Sequence, residues 1–291
     1  MRRMSAAGAK GNRSAKSQSA KRPSAKRPVS AAKVQSSAAR RAPVVWAVIP
    51  SRYASTRFPG KPLAPLAGKP MIQHVVERTR KVKRLARVIV ATDDQRILEA
   101  VEAFGGEAVI TGDHPTGTDR IHEAVKLESR RGGPPDYVLN VQGDEPMIDP
   151  ADLERLVKGL LAVPDAVMGT LVHALATENE ARDPNIVKAV LDRRGRALIF
   201  SRSPVPYPRA DPLAGDPAPL GWRHMGIYLY RWDFLRTFAR LPMTPLSQRE
   251  QLEQLRALEH GYPIHCFLAH SHGLGVDTPE QLQQVAALMA Q

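Results

Sequence analysis

Six apolar residues in succession, Val44-Val45-Trp46-Ala47-Val48-Ile49, open the patterned part of the chain. A strand wetted on one face alternates apolar and polar side chains, whereas an unbroken apolar run needs cover on both faces. Tyr137-Val138-Leu139-Asn140-Val141 has the same character, and Arg87 to Ala91 and Glu107 to Thr111 supply two further strands. Between them the period changes to that of a helix. Ile72, Val75, Val76 and Thr79 recur on one face behind Pro70, Gln95 to Phe104 is amphipathic and closed by Gly105-Gly106, and Asp119 to Ser129 reads as a third helix. Strands separated by crossover helices predict an α/β fold with a mostly parallel central sheet of Rossmann-like type, ligands sitting beyond the carboxyl ends of its strands.

The second half reads as a strand-rich lobe. Ile186 to Leu191 and Arg196 to Ser201 flank Asp192-Arg193-Arg194-Gly195, a hairpin signal, and Met225 to Tyr230 and Ile264 to Ala269 are strand-like. Gln248 to Glu259 and Pro279 to Met289 are expected helices, and residues 203–221 form a long proline-rich loop of the sort that carries binding function.

The formal net charge of +13 suggests a nucleic-acid partner until it is located. Residues 1–42 hold twelve of the 42 Lys and Arg residues and none of the 29 Asp and Glu, leaving 30 basic against 29 acidic residues for the rest. The charge therefore belongs to a low-complexity tail, expected to be disordered, ahead of one domain over 43–291. For the tail alone, contact with nucleic acid or an anionic surface, or a targeting role, stays open. A single cysteine, Cys266, excludes a disulfide framework and a multi-cysteine zinc site, in keeping with a reducing, cytoplasmic setting. No apolar stretch reaches the length of a membrane span.

The loop after the first strand, Pro50-Ser51-Arg52-Tyr53-Ala54-Ser55-Thr56-Arg57-Phe58-Pro59-Gly60-Lys61-Pro62-Leu63, sets Arg52, Arg57 and Lys61 beside small residues at a strand end. Such a loop admits a phosphate to its N–H groups and cations, and it equally reads as a solvated basic loop. It matches neither the Walker A nor the dinucleotide glycine pattern. Asp144 and Glu145 follow a buried strand directly. Asp149-Pro150 already supplies the cap and first residue of the next helix, which leaves Asp144 free for other work. Likewise Thr278-Pro279-Glu280-Gln281 is a capping box that leaves Asp277 unused. Gly117-Thr118-Asp119-Arg120 opens a helix toward an anion or a base, with capping by Thr118 as the rival reading. Cys266 lies in a core strand and no nucleophilic triad is indicated, so no covalent enzyme intermediate is expected.

Arg52-Tyr-Ala-Ser-Thr-Arg-Phe-Pro-Gly-Lys-Pro-Leu63 closely resembles the signature loop of the CMP-Kdo synthetases, where Kdo is 3-deoxy-manno-octulosonate. The likeness continues in order through Gly68-Lys-Pro-Met-Ile72, Val90-Ala-Thr-Asp93, Gly117-Thr-Asp-Arg120, Asn140-Val-Gln-Gly-Asp-Glu-Pro-Met147 and Pro184-Asn185. It ends with Phe200-Ser-Arg202, Arg223-His-Met-Gly-Ile-Tyr228, Leu252-Glu-Gln-Leu-Arg256 and Gly275-Val-Asp-Thr-Pro-Glu280. The resemblance implies a nucleotidyltransferase fold and transfer of CMP from CTP to the anomeric hydroxyl of Kdo, activating the sugar for lipopolysaccharide synthesis. It implies Mg2+ held by Asp144 and Asp277, catalysis with Arg52 and Lys61, and nucleotide contacts from Ser51, Arg52, Lys61, Thr118, Arg120 and Gln142. Sugar contacts fall to Arg202, His224, Tyr228, Glu253 and Gln254, and the working form is a homodimer. A sialic-acid-like sugar or an amino variant of Kdo is the alternative substrate. Two positions depart from the family pattern, Thr116 where serine is usual and Ser247 where glutamate is usual.

Overall fold

The computed structural model describes residues 41–54, 57–207 and 221–290. The expected tail over 1–42 therefore lies almost wholly outside the described residues, as does most of the proline-rich loop.

The first half runs β1 (Val45–Ser51), a 3-10 turn at Lys61–Leu63, the short pair β2 (Pro65–Leu66) and β3 (Lys69–Pro70), then α1 (Met71–Thr79) and β4 (Leu85–Thr92). It continues with α2 (Gln95–Ala103), β5 (Glu107–Ile110), α3 (Gly117–Glu128) with a 3-10 turn behind it, β6 (Tyr137–Asn140) and α4 (Pro150–Leu161). The second half holds β7 (Met168–Ala174), α5 (Glu178–Arg182), the hairpin β8 (Lys188–Leu191) and β9 (Ala197–Ser201), and β10 (Trp222–Arg231). It closes with α6 (Trp232–Phe238), α7 (Pro245–Glu250), α8 (Leu255–Glu259), β11 (His265–Leu268) and α9 (Pro279–Met289).

One sheet takes the order β11-β7-β10-β6-β1-β4-β5, with β8 added to β10 and β9 to β8. β1 pairs in parallel with β4 and β6, β4 with β5, and β7 with β11. β10 is antiparallel to both β6 and β7, so along this path it alone runs against the rest. The strand-rich second half thus extends the first sheet. The reason for the unbroken apolar run is visible in its packing. Val45, Ala47 and Ile49 face α1, α2 and α4, while Trp46 and Val48 face α3 and α6 on the other side.

Two of the boundaries that differ from the sequence reading have a visible cause. α3 starts at Gly117 because Thr116 is its N-cap, accepting the Asp119 N–H at 3.1 Å. The helix expected over Gln248–Glu259 is two short helices, broken at Gln251 with φ of 52°. The Glu250 carbonyl accepts from Arg202 Nε at 2.8 Å, which satisfies the end of α7 from outside the helix. Ser247 lies buried one turn into α7, behind the N-cap Thr244, and its Oγ accepts the Thr244 N–H at 3.0 Å.

Gly159 in α4 faces the Phe267 ring of β11, and a Cβ there would meet ring carbons at 2.4 and 2.5 Å. Gly159→Ala is expected to lower the melting temperature, because overpacking outweighs the roughly 1 kcal/mol of helix propensity gained. Adding Phe267→Leu should recover much of the loss, and a rise in melting temperature for the single variant would contradict this packing.

Candidate active site

β1 ends on Ser51, whose buried hydroxyl has no hydrogen-bond partner among the described residues. The loop beyond it is pinned at Tyr53, where the Arg96 guanidinium lies 3.4 Å from the ring centroid. The chain then turns back so that Lys61 points under the sheet edge. Its Nζ donates to Asp144 Oδ2 at 2.9 Å and to Asp277 Oδ1 at 3.1 Å, with the lysine side chain only 12% exposed. Arg57 Nη2 pairs with the other Asp277 oxygen at 3.0 Å. Segments 133 positions apart are held in register by the backbone, the Val276 N–H donating to the Asp144 carbonyl at 2.8 Å. Neither aspartate caps a helix: Asp149 caps α4 and Thr278 caps α9, as the spacing predicted.

Pro50, Ser51, Arg52, Arg57, Lys61, Gln142 and Asp144 line a cavity of about 350 Å³. Glu145, the next residue, lines a second one of about 310 Å³ together with Asn185, Arg223, His224, Tyr228, Gln254, Gly273 and Gly275. The Asp144–Glu145 step is therefore a wall shared by two compartments. One is cationic beside its carboxylates, and the other mixes an arginine, a carboxyl, amides and aromatic rings.

Several expected site residues are occupied by the protein itself. Arg120 is fully buried, its Nη2 donating to Asp93 and its Nη1 to Thr111 Oγ1 at 2.7 Å, so its guanidinium braces β4 against α3. Glu253 sits in the break between α7 and α8. It accepts from Thr118 Oγ1 at 2.9 Å and from Arg256, joining the start of α3 to the second cavity's rim. Arg202 spends its guanidinium on the carbonyls of Glu250 and Pro184, at 2.8 and 2.9 Å. Among the described residues Arg52 reaches only the Pro115 carbonyl at 3.3 Å, and Gln142 Nε2 donates to the Gly226 carbonyl at 2.9 Å. By contrast His224, Tyr228 and Gln254 do face the second cavity, where the buried Gln254 Nε2 has no partner among the described residues.

Residues not singled out from sequence complete this region. Lys188 is buried and donates to the carbonyls of Asp183, Ile186 and Arg202 at 2.8, 2.6 and 2.7 Å, clamping the segment that carries Asn185. Asp152 accepts from the N–H groups of His270 and Ser271 and from the Ser271 hydroxyl, fixing the loop that leads to Asp277. A buried lysine and aspartate inside apolar patterns were the available signals, since such groups persist only when paired.

Burial and then the charge of Asp144 push Glu145 up to about 8. Burial pushes His224 down to about 3, and the neutral imidazole shares a hydrogen bond of 3.0 Å with Thr170 Oγ1. The Tyr228 phenol is raised well above its ordinary range by the same loss of solvent, followed by the influence of Tyr230 and Glu253.

The family profile described as Cytidylyltransferase matches residues 46–264. A 3-deoxy-manno-octulosonate cytidylyltransferase of Syntrophotalea carbinolica is 53% identical over 249 residues, covering 84% of this chain and 97% of that protein. One of Escherichia coli is 48% identical over 246 residues, covering 84% and 95%. Among solved structures, CMP:2-keto-3-deoxy-manno-octonic acid synthetase complexed with CTP superposes with a TM-score of 0.78 at 47% identity, over 85% of this chain and 99% of that one. A 4-diphosphocytidyl-2C-methyl-D-erythritol synthase, 15% identical with a TM-score of 0.57 over 85% and 100%, shares the fold.

His224 stays neutral in the folded chain down to about pH 3, whereas the unfolded chain takes up that proton below about 6.5. Its contribution to stability is therefore complete above about pH 6.5 and declines as pH falls toward 3. Melting temperatures from pH 7 to 4 should fall less steeply for His224→Gln than for the wild type. Parallel profiles would show that the imidazole is not held neutral by burial.

Proposed function

The chain belongs to the cytidylyltransferase family, among the 3-deoxy-manno-octulosonate cytidylyltransferases, and from that premise we infer that it transfers CMP from CTP to Kdo, releasing pyrophosphate. The anomeric hydroxyl of the sugar attacks the α-phosphate of CTP, a new phosphorus–oxygen bond forms, and the bond to the β-phosphate breaks. Such a reaction asks the protein for alignment and charge compensation rather than a nucleophile. The two cavities divided by Asp144–Glu145 suit two substrates that must meet edge to edge. In this reading Ser51, Arg52 and Lys61 receive the triphosphate, and His224, Tyr228 and Gln254 face the sugar.

The single observation that carries the reading is the meeting of Asp144 and Asp277 on one cation, Lys61 Nζ, at the mouth of the nucleotide cavity. Two carboxylates around one positive centre form an oxygen donor set that fits Mg2+, which takes one or two carboxylates together with substrate phosphates. Asp144 and Asp277 would hold the ion, which supplies charge neutralisation on the phosphates when bound. Lys61 then keeps the carboxylates from repelling one another before substrate arrives, and Arg57 orients Asp277. Thr118 and Gln142 belong to the nucleotide side of the proposal. Arg120, Glu253 and Arg202 enter it as residues that position others.

The homodimer and a cytoplasmic location are parts of the same proposal. Leu198 on β9 and Leu268 on β11 expose apolar side chains at strands on the sheet margin, the kind of surface a subunit contact covers. No helix among the described residues is long and apolar enough to cross a membrane.

Pyrophosphate release with CTP, UTP and ATP against Kdo, an amino variant of Kdo and a sialic acid tests the substrates; turnover with CTP and Kdo is expected, and its absence would overturn the assignment. Asp144→Ala and Asp277→Ala, each assayed across Mg2+ concentrations, should reduce turnover at least about a hundredfold with circular dichroism unchanged. Wild-type activity in either variant would remove that residue from the metal site.

A further inference from the structure

Kdo bears its carboxylate on the anomeric carbon, the same carbon whose hydroxyl attacks the α-phosphate. The anionic group must therefore lie at the wall between the two cavities, close to Asp144, Asp277 and the triphosphate. A fourth centre of negative charge there needs a cation that is not already spent. Lys61 is held by both aspartates, Arg57 by Asp277, Arg120 by Asp93, and Arg202 by two carbonyls.

Arg223 is different. It lines the second cavity, and among the described residues it makes no hydrogen bond or ion pair. Its backbone is fixed on β10 opposite His173 of β7 and Lys188 of β8, just before the register shift between His224 and Tyr228. It forms no ion pair with Glu145, which lines the same cavity. Glu145 Oε2 is itself buried with no partner, over Gly273, where a Cβ would stand 3.1 Å from it. A guanidinium and a carboxyl thus face one cavity, each short of a hydrogen-bonding partner. The buried Glu145 oxygen is costly to leave unpaired, and the half-buried Arg223 guanidinium is the cation on this wall still open to an anion.

We propose that Arg223, rather than Arg202, receives the carboxylate of the acidic sugar and so sets the enzyme's preference for an acid over a neutral sugar. The proposal rests on the Kdo reading above. A guanidinium fork matches a carboxylate with two parallel hydrogen bonds, so replacing either partner loses most of the interaction. Arg202 acts as a positioning residue that ties Glu250 and Pro184 to the cavity rim.

The test compares Kdo with its neutral carboxamide, using CTP as the nucleotide. Wild type should favour Kdo by about 30-fold or more in kcat/KM. Arg223→Gln should lose about that factor on Kdo, mainly as a higher KM for the sugar, with KM for CTP unchanged and little effect on the carboxamide. Arg223→Lys should recover part of the preference, and Arg202→Gln should weaken both sugars alike. An Arg223→Gln enzyme that keeps the wild-type preference overturns the proposal. A second measurement needs no variant: phenylglyoxal labelling of Arg223 in the wild type, read by peptide mass, should be blocked by Kdo and not by the carboxamide. Equal protection by both, or by neither, also overturns it. Absence of wild-type turnover with CTP and Kdo would instead remove the underlying substrate reading.

Discussion

β1 lies between β4 and β6 with helices over both of its faces, and its side chains from Val45 to Val48 are buried. A strand so enclosed can carry no unpaired polar group along its length. Polar chemistry is consequently displaced to the strand's carboxyl end, where Ser51 begins the basic loop. The neighbouring parallel strand β6 delivers Asp144 and Glu145 to the same edge for the same reason. Apolar burial in the middle of the sheet therefore decides where the ionic chemistry is located.

At that edge the electrostatics are closely balanced. Two aspartates from distant segments share one ammonium group, and a second cation leans on one of them. Without Lys61 the carboxylates would repel one another; without the carboxylates a little-exposed lysine would lack counter-charges. The supports lie further out. The Asp152 carboxylate anchors the loop leading to Asp277, and the Lys188 ammonium anchors the loop carrying Asn185. Each uses several short hydrogen bonds from a rigid element, which keeps the mobile-looking connections of such a sequence at fixed distances from the sheet.

Adjacent residues in the chain serve opposite compartments. Asp144 lines the first cavity and Glu145 the second, so the peptide linking them is the wall that the two cavities share. Thr118 and Glu253 form a second bridge between the compartments, made of a hydroxyl on α3 and a carboxylate beyond α7. Through this bridge Glu253 spends its charge on the start of α3 and on Arg256.

Much of this was legible in the chain. Continuous apolar runs, helical periods and the two capping signals at Asp149 and Thr278 depend on local geometry alone, and they determined the parallel sheet, its helices and the freedom of Asp144 and Asp277. The motifs in order determined the family. Only the tertiary structure decided which cations were available. Arg120, Arg202 and Arg223 look alike as letters, yet the first is buried against Asp93, the second is bound to two carbonyls, and the third faces a cavity. The break at Gln251 was equally hidden, because the group that ends α7 comes from Arg202, 48 residues from Glu250 in sequence. Local pattern is set by neighbours along the chain; the partner of a charge is set by whatever the fold brings within hydrogen-bonding reach.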